Sequence, residues 1–140
     1  MKKRFLSFAL MTALVLSLCG GAAVAAETRA SDTIRSFTLS LVEGDSAGEV
    51  KIKFDVRANS TADEIGISSI VIYKTDGSYA STIMGTKGNG LILTNTSRHN
   101  SSYTYKGTSG TSYFARVTCT ATIGSSSDSK TLDTNKVTAP

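Results

Sequence analysis

The stretch EVKIKFDVRA, Glu49 to Ala58, alternates apolar and polar residues along its whole length. Val50, Ile52, Phe54 and Val56 fall on one side, and Lys51, Lys53, Asp55 and Arg57 on the other. Successive side chains of a β-strand point to opposite faces, so this pattern predicts a strand with one buried and one wet face. A helix would scatter the same apolar residues around its circumference.

Working outward, SFTLSLV repeats the pattern, with Phe37, Leu39 and Leu41 on one face of a first strand. Ser68 to Lys74 is continuously apolar at its centre and predicts a strand buried on both faces. Thr75-Asp76-Gly77-Ser78 is a hairpin turn, and Tyr79 to Met84 returns from it as a strand. Gly85 to Asn100 reads as a long Gly- and Asn-rich connection holding one short strand at Leu91 to Thr94. Ser101 to Lys106 is a further strand, Tyr113 to Ile123 a long one, Gly124 to Asp128 a hairpin loop, and Lys130 to Val137 the last strand. TADEIGI, Thr61 to Ile67, has room for one helical turn, but Gly66 and the β-branched residues work against more. About seven short strands separated by turn signals predict an all-β fold, an antiparallel β-sandwich.

GTSYFARVTCTATIGSSSDSKT, Gly110 to Thr131, resembles the last two strands of fibronectin type III and related immunoglobulin-like domains. Gly110, Thr111, Tyr113 and Val117 fall on that pattern, and Cys119 takes the place of a small alanine. The resemblance implies a packed Tyr113 ring whose hydroxyl bonds the backbone of the preceding connection, and it puts Phe54 where the family keeps a buried tryptophan. The whole chain also resembles small exported proteins of Gram-positive bacteria.

The first 26 residues read as a secretory signal. Lys2, Lys3 and Arg4 precede the apolar run Phe5 to Leu18, and Ala23-Val24-Ala25 is a small-x-small site, so cleavage is expected after Ala25 or Ala26. About 14 apolar residues are too few to span a bilayer, which takes roughly 20. Lipidation at Cys19 is disfavoured because Leu18 stands where a small residue belongs. Residues 27–33 read as a flexible lead-in and residues 34–140 as a single domain. The full chain carries a net charge of +4 from 15 basic and 11 acidic residues. Losing Lys2, Lys3 and Arg4 leaves twelve basic residues against eleven acidic, near +1, which is no footprint for nucleic acid. The expected product is secreted, with no stable membrane insertion.

Few residues point to chemistry. Cys119 shares a face with Tyr113, Ala115, Val117 and Ala121 and reads as a core residue. His99, the only histidine, reads as a surface-loop residue, because no nucleophile elbow accompanies it. Asp63-Glu64 is an adjacent acidic pair that alternation points apart, and no segment has calcium- or zinc-ligand spacing. No catalytic residue, cofactor or metal is therefore assigned. Tyr73, Tyr79, Tyr103 and Tyr105 remain as a possible binding surface. The sequence supports a non-enzymatic secreted or cell-surface module that binds or scaffolds an extracellular protein or glycan, ahead of a small hydrolase or a self-assembling surface protein.

Overall fold

The computed structural model describes residues 33–140. The expected signal segment and most of the lead-in lie outside them. Within them the chain is all-β, with strands β1 (Ile34–Glu43), β2 (Glu49–Lys74), β3 (Tyr79–Met84), β4 (Ile92–Lys106), β5 (Ser112–Ile123), β6 (Ser126–Asp133) and β7 (Val137–Thr138). Every pairing between them is antiparallel, and together they form one connected seven-stranded sheet that curls into a half-barrel.

The 26-residue β2 organises it. Its first half, Glu49 to Ala58, lies between β1 and the later part of β4. Its second half, Glu64 to Lys74, lies between β5 on one side and the start of β4 followed by β3 on the other. β6 and the short β7 extend the sheet beyond β5. The pairing with β4 slips between Arg57 and Ala62, an irregularity of the kind that bends the strand carrying the extra residues. Gly66 lies just beyond it, at φ 153°, where an added Cβ would sit inside the Leu91 carbonyl. A residue with a side chain is strained in that conformation and has no room there.

The core follows the predicted alternation. Val50, Ile52, Phe54 and Val56 are all at most 3% exposed, and Tyr113, Ala115, Val117, Cys119 and Ala121 form the matching row of β5. Each large aliphatic side chain buried this way stabilises the fold by about 1.5–3 kcal/mol before entropy is counted. The second half of β2 departs from the expected two-sided burial. Ile65, Ile67, Ile70 and Ile72 are buried, but Val71 and Tyr73 stay half-exposed on the outer face. The spacing from Ile67 to Ile70 breaks period two, and a bulge between Ile67 and Ser69 restores it by inserting one extra residue.

Other expectations are corrected. Gly85 to Asn100 is not one long connection, because β4 begins at Ile92 and runs unbroken through Lys106. Thr61 to Ile67 is strand throughout, with no helical turn. The hairpin after β5 closes at Gly124-Ser125, and the last expected strand is two, β6 and β7, separated by Thr134 to Lys136. Thr33, expected in the lead-in, is buried: its N–H and hydroxyl donate to Asp128 at 3.0 and 2.9 Å.

Side chains and turns tie the curled sheet together. Asn135 bonds β1 as a strand would, accepting from the Leu41 N–H at 2.8 Å and donating to the Leu41 carbonyl at 2.9 Å. Near the opposite end of β1, Lys130 Nζ reaches the Ile34 carbonyl at 3.5 Å. Around Tyr113, Gly107 N–H donates to Gly48, Gly48 N–H to Pro140, and Gly110 N–H to Ala139. The Tyr113 ring is 2% exposed, and its hydroxyl accepts from the Thr108 N–H at 2.9 Å, which is the bond the resemblance implies. Gly107 is obligatory beside it, since a Cβ would strike that hydroxyl. Tyr113→Phe should cost on the order of 1 kcal/mol, read as a lower urea midpoint at unchanged slope, because the Thr108 amide loses its acceptor.

Candidate functional site

Cys119 and His99, the residues best suited to nucleophilic or acid–base chemistry, both lie inside. Cys119 is fully buried, across from Ile67 on one side and Lys130 on the other. Burial pushes its thiol up to about 11, against smaller opposing effects from Lys130, so it stays protonated at neutral pH. A thiol reagent should modify it only as fast as the protein unfolds, and Cys119→Ala should cost on the order of 1 kcal/mol of stability. Rapid native-state labelling would contradict this placement.

His99 corrects the surface-loop expectation. It sits in β4 opposite Val56, 3% exposed, with its ring edge-on to Phe54 at 5.1 Å and 88°. Alternation back from Tyr105 and Tyr103 through Ser101 carries the signal that places it inward. Its Nδ1 is buried without a hydrogen-bond partner. Burial lowers its pKa below the usual imidazole range, and the nearby backbone of Leu91, Ile65 and Gly90 opposes that shift without overcoming it. The folded state therefore binds a proton less readily than the unfolded state. Stability from this group is complete above the unfolded value near 6.5 and is lost as pH falls below it towards the folded value. The melting temperature should fall between pH 7 and 5, and His99→Phe should flatten that limb; an equal fall in the variant would contradict the assignment.

The acidic residues serve turns and ion pairs. Asp63 accepts from the Gly124 N–H at 2.8 Å, and its neighbour Glu64 pairs with Lys87 at 2.7 Å. Asp76 accepts from the Ser78 N–H and hydroxyl within the β2–β3 turn. Among the described residues no three of His, Cys, Asp and Glu are grouped to hold a metal. On the outer face of the β1–β2–β4 region, Asp55 takes two bonds from Arg98, at 2.9 and 2.8 Å, and two longer ones from Arg57. Arg98, above all, holds the Asp55 carboxyl below its usual range. A shallow cavity of about 340 Å³ opens there, lined by Thr38, Ser40, Lys53, Asp55 and Asn100 among others.

The four candidate tyrosines separate into two groups. Tyr73 faces outward on the second half of β2, stacked on Phe114 at 5.3 Å and 19°. Arg116 lies beside that stack; its charge is favoured chiefly by Asp133 and also by Tyr73. Tyr73 and Tyr79 are register partners across the β2–β3 hairpin, just past a bulge between Ile72 and Tyr73. Tyr103 and Tyr105 lie half-buried against the margin of the core, opposite Ile52 and Val50. Tyr105 meets Tyr113 edge-on at 5.6 Å. Burial raises the Tyr105 pKa most, and the Tyr113 and Tyr79 hydroxyls add to it. Tyr79 is 63% exposed, in register with Tyr73 and within electrostatic reach of Tyr105.

No known family model, curated protein or solved structure matches the chain.

Proposed function

We propose that the chain is an exported, non-enzymatic β-sandwich module of the immunoglobulin and fibronectin type III kind. It binds an extracellular protein or glycan through the aromatic margin formed by Tyr79, Tyr103 and Tyr105. The observation that carries the binding reading is Tyr79, a large aromatic ring left 63% exposed. Aromatic rings bury much area at little entropic cost, so exposed ones in a group make good contact surfaces.

Strand pairing supports the sandwich. β1, the first half of β2 and the later part of β4 make one set of neighbours, while β3, the second half of β2, β5 and β6 make the other, with the start of β4 crossing to this second set. That division, with Tyr113 bonded back to the turn before β5, matches what the resemblance implies. The basic start, apolar run and small-residue site of residues 1–26 support export. Binding is favoured over hydrolysis because His99 and Cys119 are committed to the core.

Glycan and extracellular-protein arrays probed with the purified protein test this reading. Tyr79→Ala and Tyr105→Ala should each weaken binding to a captured ligand about tenfold, and Tyr73→Ala should leave it unchanged. Equal loss in the Tyr73 variant, or no ligand above background, would count against the surface.

A further inference from the structure

We infer that β4 receives an extended acidic segment of a partner protein as an added strand, seated over Tyr103 and Tyr105. This inference rests on the binding reading above and names how that surface is used.

The hydrogen-bonding parity follows from Asn135. It bonds both the N–H and the C=O of Leu41, so these groups of β1 point away from β2. Alternation then turns Ser40 and Thr38 towards Lys53 and Asp55, and leaves Ile52 and Phe54 to bond β4 at Tyr103 and Ser101. The backbone groups of Asn100, Ser102 and Thr104 consequently point outward. Arg98 has the same parity and supports the assignment, since both its N–H and its C=O are engaged by the Thr96 hydroxyl at 3.4 and 3.3 Å. Among the described residues β4 pairs only with β2. Asn100, Ser102 and Thr104 thus present three N–H and three C=O groups in a row to solvent. Edge strands are normally blunted by lysine, proline or bulges, and no such guard stands between His99 and Tyr105.

The side chains define the occupant. An added strand would run about 4.8 Å from β4, with alternate residues on either face. Its inward residues would cover the partly exposed Tyr103 and Tyr105 and so favour apolar side chains. Its outward residues would lie between Arg98 and Lys106 at the two ends of the edge, with Lys53 one strand behind Ser102. Asp55 pairs with Arg98 and Arg57, and Glu49 is the register partner of Lys106, whereas Lys53 stands between Ser40 and Ser102 and has no ion pair among the described residues. Acidic side chains complement that face. A second copy fits worse: antiparallel self-pairing centred on Ser102 sets Arg98 of one chain against the partner's Lys106.

The test uses the ¹⁵N-labelled full chain and two capped peptides, TEVEVET and TKVKVKT. TEVEVET should shift and protect the amides of Asn100, Ser102 and Thr104, and TKVKVKT should bind at least about tenfold more weakly. Ser102→Pro removes an outward N–H that bonds nothing among the described residues, a position where proline is tolerated, and should weaken TEVEVET about tenfold without lowering the melting point by more than a few degrees. Undiminished binding to that variant, with loss in Tyr105→Ala, would overturn strand addition and leave the tyrosine surface standing. Loss in neither variant would remove both readings. Equal binding of TKVKVKT, or a dimer of the chain that Ser102→Pro dissociates, would overturn the acidic occupant.

Discussion

One strand must serve two sets of neighbours. β2 gives Val50, Ile52, Phe54 and Val56 to the part of the core shared with β1 and β4, and Ile65, Ile67, Ile70 and Ile72 to the part shared with β3 and β5. A straight strand of that length would hold these rows far apart. The slip after Arg57, the extra residue near Ser68 and the side-chain-free Gly66 curl it, so both rows reach one interior. With Cys119 unpaired by any disulfide, that shared packing and the ladders of β2 carry the stability.

The same curl determines what remains for a partner. It brings β1 close enough to the β6–β7 region for Asn135 and Lys130 to hold two points of its edge. On the other side β3 and β4 follow one another along β2, and nothing in the described residues pairs beyond them. The exposed Tyr79 of β3 and half-covered Tyr105 of β4 both lie on this side. An unpaired edge and an incompletely buried aromatic row are two consequences of one geometry, which is why the proposed extended ligand would engage both.

Much of this was legible in residues that alternate cleanly. Glu49 to Ala58 and Tyr113 to Ile123 have one wet face and one dry face, so period two reads directly onto burial. β4 was obscured because it is an edge strand rich in Ser, Thr and Asn, whose polar residues look like loop. His99 was misplaced for the same reason, although Tyr103 and Tyr105 share its parity. The apolar run at Ser68 to Lys74 suggested two-sided burial, because a bulge cannot be seen in composition.

The account stands on β2 acting as a single cooperative element despite its bend. Native-state hydrogen exchange at the core-facing positions on either side of Gly66 measures this directly. Amides of Ile52 and Phe54 and amides of Ile70 and Ile72 should exchange with one common opening free energy, equal to that of global unfolding. If the two halves open with free energies several kcal/mol apart, they are separately stable units, and the shared core described for β2 is wrong.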